Sequence, residues 1–312
     1  MDQSALSSRA IIGEYYRRLE ADPGASWIGG ISNYFMSDQE SETYKWLGMS
    51  PAMREWVGGR HAKGFKDNGI TIANKHYEAT VEFALRDLRR DKTGQIFARI
   101  GELAERTNSH WASALSTLIL NGESTACYDG QFYFDTDHAE GKSGTQSNDI
   151  SVDVSALPVA VAGSTTAPGV AEMQLTVLKA VQAIAGFKDD QGEPMNETAT
   201  DFVVMVPSSL HFVAMSALST MRESSMETSA FSGFNISAVA NARLTWTDKL
   251  AVFRTDGSVK PLIRQEEQEV DLKVKGEGSE FEFDNAAHQY GVDTWRNVGY
   301  GYWQHACLAT MT

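Results

Sequence analysis

The chain has 312 residues, enough for one large folded unit or two intertwined ones, and 42% of them are hydrophobic. Its 41 acidic and 27 basic residues give a formal net charge of −14, which disfavours sequence-independent binding of DNA through a basic face. Two cysteines exclude a disulfide framework, the first residues lack the apolar core of a signal peptide, and no apolar run reaches the roughly 18 residues of a membrane span.

An amphipathic pattern predicts a first helix over residues 3–20, which ends near Asp22-Pro23-Gly24. Residues 25–53 show no clean period, and we expect them to be irregular. Five aromatic residues lie in this segment: Trp27, Tyr34, Phe35, Tyr44 and Trp46. Two interpretations stay open: the segment is a loop packed on its own domain, or it is an arm packed on a neighbouring subunit, where aromatic residues are favoured contacts.

Residues 56–86 combine a glycine-rich polar loop with an alternating stretch. Asp67-Asn68-Gly69 is a strong turn signal because Asn and Gly tolerate positive φ. Between Tyr77 and Leu85, apolar residues alternate with polar ones, which is the period of a strand with one buried face. We therefore predict a β-hairpin with a polar tip and a more apolar base, and an ordinary surface hairpin is the simpler interpretation of it.

A long helix is predicted to follow. Apolar residues recur at spacings of three or four over 96–118, and Asp91 or Thr93 is a suitable cap for the start. A helix from there to residue 120 would be about 45 Å long at ~1.5 Å per residue. Gly94 and Gly101 are unfavourable inside a helix, so they predict that the first turns of the helix fray or that another backbone approaches closely there.

The rest of the chain changes from mixed to β-rich. Residues 123–167 are rich in loops, and helices are predicted over 168–185 and 208–220, on either side of a short buried strand at 202–206. The predicted strands from residue 235 onward are 236–247, 249–254, 268–275, 279–284 and 286–309. This order of elements predicts an α+β fold with an extended shape.

Polar chemistry is concentrated at Asp129, Asp135, Asp137 and His138. Carboxylates and an imidazole are ligands for divalent metals, which makes a metal-dependent hydrolase the competing interpretation. The match to a calcium-binding EF-hand fails, because the twelfth position counted from Asp135 is Gln146 and not Glu. We interpret the segment as a turn whose aromatics pack and whose acids accept backbone hydrogen bonds, and we assign no catalytic, cofactor-binding or metal-binding residue.

Three segments carry a family likeness. They are ITIANKHYEATVEFALRDLRRDKTGQI at 70–96, CYDGQFYFDTDHAEG at 127–141 and YGVDTWRNVGYGYWQHA at 290–306. The last is the most specific, with Thr294-Trp295-Arg296 in its middle. Together and in this order they resemble the major head (capsid) proteins of Mu-like tailed bacteriophages. The resemblance runs from about Trp56 to the C-terminus and is weaker over 145–235.

This resemblance implies the Hong Kong 97-type phage capsid fold and no enzymatic activity. The implied parts are an N-terminal arm (1–55), an extended β-hairpin loop or E-loop (56–86), a P domain (87–149) with a spine helix at about 91–121, an A domain (150–240), and return strands that belong mostly to the P domain (241–312). The implied function is that of a major capsid protein, which self-assembles into hexamers and pentamers of an icosahedral head around double-stranded DNA. A phage tail or decoration protein is a further alternative.

The expected partners and location follow from the same resemblance. The chain would bind copies of itself, with a separate scaffold or protease, a portal and a decoration protein as additional partners. It would face packaged DNA without binding it specifically, it would have no membrane partner and no cofactor, and it would be made in the host bacterial cytoplasm for the virion. The acidic balance predicts a neutral to negative inner face of the shell.

Inter-subunit contacts are expected from the aromatic arm and from the tip of the loop. The candidates are Trp27, Tyr34, Phe35, Arg60, Lys63, Lys66 and Asp67. Extended segments that lie over neighbours add contact area without enlarging the domain. On this hypothesis, a chain without residues 1–40 stays folded and fails to form closed shells.

Overall fold

The computed structural model of the chain describes residues 7–22, 24–45, 69–91, 93–155, 164–223 and 233–312. The helices are α1 (Ser8–Ala21), α2 (Ile28–Ile31), α3 (Leu85–Arg90), α4 (Gln95–Leu120), α5 (Val170–Gly186), α6 (His211–Glu223) and α7 (Glu280–Asn285). The strands are β1 (Ser32–Met36), β2 (Ser41–Tyr44), β3 (Ile70–Ala73), β4 (Lys75–Ala84), β5 (Asp149–Val152), β6 (Asp201–Val206), β7 (Asn235–Ala240), β8 (Lys249–Arg254), β9 (Leu262–Lys275), β10 (Ala287–Tyr300) and β11 (Ala306–Met311). This mixture confirms the predicted α+β class.

The larger strands form two sheets. The four-stranded sheet has the order β1-β9-β10-β4, and the five-stranded sheet has the order β5-β11-β8-β6-β7. In the first, β9 and β10 are antiparallel strands of 14 residues each, β4 is antiparallel to β10, and β1 is parallel to β9. A separate pair joins β2 to β3. Among the described residues, no helix is both long and apolar enough to cross a lipid bilayer.

Two hydrophobic cores lie along one helix. The larger core surrounds the five-stranded sheet and includes Leu115 and Ile119 from the second half of α4. The smaller core lies between α1, the four-stranded sheet and the first half of α4, which contributes Ile96 and Ile100. With 26 residues, α4 is about 39 Å long, so it is the element that both cores share.

The start of α4 differs from the prediction in the position of Gly94. The Asp91 carboxylate accepts hydrogen bonds from the backbone amides of Gln95 and Ile96 at 3.1 and 3.0 Å, which confirms Asp91 as the capping side chain. Gly94 is the residue just before the helix and has a left-handed φ of 72°. The expectation that Gly94 weakens the helix interior is therefore wrong, because the turn that leads into the helix requires this conformation.

Gly101 lies inside α4 and is buried, so its replacement gives a testable change in stability. A Cβ atom there would meet the Arg18 guanidinium at 3.6 Å, which is ordinary contact distance. Since Ala is favoured over Gly in a helix interior by about 0.8–1 kcal/mol, Gly101→Ala should raise the free energy of unfolding by up to about 1 kcal/mol. Chemical denaturation measures this. Gly94→Ala is the matched control and should lower stability, and a less stable Gly101→Ala variant would contradict the expectation.

The N-terminal segment is more ordered than its sequence predicts. As far as Lys45, residues 25–53 form α2, β1 and β2 instead of irregular chain. α2 places Ile28 and Ile31 in the larger core, and β1 lies beside β9 in the four-stranded sheet. The interpretation that this segment packs on its own domain is confirmed for these residues. Both cores contain side chains from residues 1–40, so the structure predicts that a chain without this part loses its fold, which is the opposite of the expectation from the sequence.

The predicted hairpin at 56–86 also differs in its pairing. Residues 46–68, which include the predicted tip, lie outside the described residues. β3 pairs with β2, and β4 pairs along its whole length with β10. The strand ends at Ala84, and Leu85–Arg90 is helical where the alternation predicted strand as far as residue 86.

The C-terminal third holds the clearest error in predicted structure. Residues 279–284 alternate acidic and aromatic side chains as a strand would, yet Glu280–Asn285 is the helix α7. Ser279 caps it by accepting a hydrogen bond from the amide of Glu282 at 3.2 Å, and Ala286 ends it in the left-handed conformation. These two end signals outweigh the alternation.

Candidate functional site

A cluster of buried polar side chains lies at the turn that the sequence analysis singled out. His138 is fully buried, and its ring stacks on Trp303 with 4.0 Å between the ring centroids. Its Nδ1 lies 2.7 Å from Asp129 Oδ2, and its Nε2 lies 3.2 Å from Asn148 Oδ1. The Cys127 thiol donates to Asp129 Oδ1 at 3.0 Å. The cluster therefore ties the turn to the C-terminal part of the chain.

Asn148 determines how the cluster is arranged. Its Oδ1 accepts the backbone amide of Asp135 at 2.9 Å, and its Nδ2 donates to the carbonyl of Tyr133 at 2.8 Å. These bonds set the orientation of the amide. Both ring nitrogens of His138 consequently lie within hydrogen-bond distance of side-chain oxygen atoms.

The electrostatics of the cluster favour an ionised Asp129 and a neutral thiol. Burial raises the pKa of the Asp129 carboxyl, but the hydrogen bonds from His138 and Cys127 outweigh burial and leave this pKa below its ordinary value. Burial also raises the pKa of the Cys127 thiol far above its ordinary value. The sulfur is thus a weak hydrogen-bond donor and is poorly suited to nucleophilic attack.

The cluster contains residue types that bind metals, but their potential ligand atoms form hydrogen bonds with one another. Ligand atoms of Cys127, Asp129 and His138 all lie within 4.8 Å of one another. Each of them already takes part in a hydrogen bond within the cluster, and metal binding would require the buried thiol to lose its proton. The geometry therefore supports a structural role.

The two remaining acids of the predicted set lie apart from this buried cluster. Asp135 accepts hydrogen bonds from the backbone amides of Phe132 and Thr136 at 3.1 and 2.7 Å, and Asp137 is exposed. Although burial raises the pKa of Asp135, these backbone hydrogen bonds outweigh it and lower this pKa. The interpretation as turn chemistry is confirmed. The aromatic part is confirmed for Tyr133 and Phe134, which are buried, while Phe132 is 45% exposed.

Two of the segments that carry the family likeness pack directly on each other. Tyr133 stacks on Tyr300 at 4.3 Å between centroids, and the Tyr128 hydroxyl lies 3.1 Å from Gln304 Oε1. The segment at 127–141 and the segment at 290–306 therefore form one packed unit. Sequence spacing alone gives no sign of this contact, because more than 160 residues separate the partners.

Arg296, in the most specific of those segments, connects β10 to α4. Its side chain is buried, donates to the carbonyl of Thr107 at 3.1 Å, and lies over the Trp111 ring at 4.7 Å. Glu266 is its ion-pair partner at 3.7 Å. Burial lowers the pKa of Arg296, because the interior solvates the charged guanidinium less well than water does.

The three predicted contact residues of the aromatic arm differ in how much of their surface is exposed. Trp27 is 7% exposed and belongs to the larger core, and Phe35 is half-buried against Tyr44. Tyr34 is 42% exposed, and its hydroxyl donates to Glu266 at 2.5 Å. Only Tyr34 of the three presents much surface to a neighbour. The other candidates, Arg60, Lys63, Lys66 and Asp67, lie outside the described residues, and contact with another subunit stays a prediction for all seven.

Several exposed apolar side chains are not among the contact residues predicted from the sequence. Phe212 and Met215, one turn apart on α6, are 82% and 49% exposed, and Phe283 on α7 is 91% exposed. On α6 the signal was present, because these two residues lie off the stripe formed by Ala214, Ala217 and Leu218. For Phe283 no such signal was present, because residues 279–284 were predicted to form a strand and not the helix α7.

Comparison with known proteins agrees with the resemblance. The model of the family "Mu-like prophage major head subunit gpT" matches residues 14–159 and 232–312, which is more than two thirds of the chain. A Mu-like prophage FluMu major head subunit of Haemophilus influenzae is 34% identical over 122 residues, covering 39% of this chain and 40% of that protein. The major capsid protein of Escherichia phage Mu is 34% identical over 102 residues, or 33% of each chain. The matched stretch is thus less than half the length of either relative.

Solved structures show the fold. A chain from the procapsid of bacteriophage JBD30 has a TM-score of 0.55 at 22% identity, with 97% of this chain and 74% of that chain covered. The capsid of cyanophage P-SCSP1u gives 0.55 at 11% identity over 90% and 86% of the two chains. The virus-like particle of Pyrococcus furiosus gives 0.52 at 11% identity over 95% and 96%. These likenesses confirm the expected Hong Kong 97-type fold, and the hydrolase alternative is not favoured.

Proposed function

Because the chain belongs to the Mu-like prophage major head subunit gpT family, we propose that it is the major capsid protein of a Mu-like phage and that copies of it assemble into an icosahedral head. The family match over both the N-terminal and the C-terminal parts carries this proposal. Hexamers and pentamers would be its capsomers, and double-stranded DNA its content. The chain would be made in the host cytoplasm and would become part of the virion.

The surface of the subunit supports association with copies of itself. Large exposed apolar side chains are typical of surfaces that another chain covers, and Met36, Phe212 and Phe283 are 65%, 82% and 91% exposed. They lie on separate elements, β1, α6 and α7, as a subunit with several neighbours requires. A separate scaffold or protease, a portal and a decoration protein are proposed as further partners.

The parts of the fold are assigned on the same basis. In this proposal α4 is the spine helix of the P domain, residues 56–86 form the E-loop, and residues 150–240 form the A domain. The N-terminal arm is the part that we revise. Since α1 and β1 pack within their own subunit, any arm over a neighbour would be shorter than 1–55.

Electron microscopy of the purified chain tests the proposal. We expect closed spherical shells, with sedimentation coefficients far above that of a 34.2 kDa monomer, when the chain is produced alone or together with the other head proteins of its phage. Rods would favour a tail protein, and small closed oligomers a decoration protein. Either result, or monomers under both conditions, would contradict the proposed role.

The proposal for packaged DNA has its own expectation. With a net charge of −14, the chain should face DNA with a neutral to negative inner surface that does not retain it. Shells should therefore bind linear double-stranded DNA weakly at physiological salt. Tight binding that weakens steeply as salt rises would indicate many phosphate contacts and would overturn this part of the proposal.

A further inference from the structure

An acidic helix with a projecting aromatic ring lies at one end of the four-stranded sheet. α7 connects β9 to β10, and residues 277–284 contain four acidic residues and no basic one. Phe283 is the most exposed large apolar side chain among the described residues, at 91%. Glu280 and Asp284 on either side of it are exposed as well. An aromatic ring in water between carboxylates has no evident role within the described part of its own subunit.

The position of Phe283 is set by the local structure. Ser279 caps the start of α7, and Glu282 accepts the backbone amide of Gly278 at 2.6 Å while lying 3.4 Å from His288. The other aromatic residue of the helix, Phe281, packs against the Lys275 ammonium at 5.7 Å. The helix is therefore fixed at both ends, and the ring of Phe283 is held outward.

A basic helix lies directly beside it. The backbone amide of Leu85, at the start of α3, donates to the carbonyl of Ala286 at 2.8 Å, at the end of α7. α3 carries three arginines and one aspartate, and Arg86, Arg89 and Arg90 are all exposed. One end of the subunit thus shows an acidic surface next to a basic one. Such a surface complements a second copy of itself.

We infer that α7 of one copy docks on α3 of a neighbouring copy, with Phe283 covered at the contact and its flanking carboxylates facing the arginines of α3. This inference rests on the proposed shell-forming function and names one of its contacts. Aromatic residues are favoured at the centre of interfaces, with charged residues at the rim. A contact between two six-residue helices is small, but a closed shell repeats it many times.

Disulfide trapping between two variants that each carry one added cysteine tests the contact directly. Glu280→Cys and Arg86→Cys are prepared separately and mixed before assembly, so any bond between the two new positions must join different copies. The native Cys127 and Cys307 are buried, which limits their competition. We expect oxidation to give a covalent dimer from the mixture. A mixture of Glu197→Cys, at an exposed site of another region, with Arg86→Cys is the control and should give far less.

The assembly of variants at Phe283 and at the charged residues of α7 and α3 tests the same contact independently. Phe283→Ser should lower the fraction of chain in shells roughly tenfold without changing thermal stability, because the ring is exposed in the subunit. Glu280→Arg with Asp284→Arg, or Arg86→Glu with Arg90→Glu, should also impair assembly. The combined set of four should restore it. Charge reversal at Lys179 is the control and should assemble normally.

The results separate this inference from the proposed function. Wild-type shells together with an unimpaired Phe283→Ser variant, or no dimer above the control mixture, would overturn the α7–α3 contact and leave the shell-forming role standing. Wild-type chain that never forms shells would instead contradict the proposed function itself.

Discussion

Removal of residues 1–40 should unfold the subunit, and not merely prevent assembly. α1 contributes Ile11 and Tyr15 to the smaller core, both with no exposed surface, and α2 contributes Ile28 and Ile31 to the larger one. Truncating one large buried side chain costs about 2–5 kcal/mol, and a whole domain is stable by only about 5–15 kcal/mol. Losing four such side chains together with β1 exceeds that margin.

Circular dichroism and thermal melting of the purified chains measure this expectation. The truncated chain should lack a cooperative melting transition and should accumulate as insoluble protein. A chain without residues 1–6 is the matched control, because it keeps Ser7, whose hydroxyl caps α1, and every described contact of that helix. A soluble, cooperatively melting chain without residues 1–40 would show that the arm is dispensable for folding.

Substitutions at Tyr15 test how much a single core side chain of α1 contributes to the stability of the subunit. Tyr15→Ala should lower the free energy of unfolding by about 3–5 kcal/mol, the usual range for an aromatic residue removed from a core. Tyr15→Phe keeps the ring and loses only the hydrogen bond from the hydroxyl to Thr107 Oγ1 at 3.3 Å, so about 0.5–1.5 kcal/mol is expected. Equal costs for the two would mean that the ring contributes little.

Local patterns predicted the long helices well, because a helix is defined by contacts within the segment. The stripe over 96–118 and the capping carboxylate of Asp91 predicted α4 with the correct end at Leu120, although the predicted start lay before the observed Gln95. The same rule failed at 279–284, where alternation resembles a strand but the caps at each end produce α7. Pairing was beyond local patterns, since β4 bonds to β10 more than 200 residues away.

The candidate site was predictable in composition and not in arrangement. The turn chemistry of Asp135 uses amides at most three residues away, so the sequence contained the necessary information. His138 instead depends on Trp303, which is remote in sequence, and on Asn148, which no motif marks. The selection of Trp27 as a contact residue used aromatic character alone, which does not distinguish a core ring from an interface ring.

Replacing Asp129 by Ala should be among the most destabilising single changes in the chain. The carboxylate is nearly fully buried and accepts hydrogen bonds from His138 and Cys127 and from the backbone amide of Gln131 at 3.1 Å. Without it, His138 is left in the interior with an unpaired Nδ1. Each buried polar group that loses its hydrogen-bond partner costs about 1–3 kcal/mol, and the loss of Asp129 affects both His138 and the Gln131 amide. Denaturant unfolding at pH 7 measures the loss, and Asp137→Ala, at an exposed site of the same turn, should change stability by less than about 0.5 kcal/mol.

The same carboxylate predicts how stability depends on pH. Its pKa in the folded chain is lower than the ordinary value of about 3.9, because the hydrogen bonds from His138 and Cys127 outweigh the opposing effect of burial. A depressed pKa means that the contribution is complete above about pH 4 and is lost as the pH falls through the lower value of the folded state. Asp129→Asn removes this titration while keeping the shape of the side chain. The gap in stability between wild type and Asp129→Asn should therefore have its full size at neutral pH and should narrow below about pH 4. A gap that stays constant from pH 7 to pH 3 would mean that packing alone, and not the ionised carboxylate, holds the turn to the C-terminal segment.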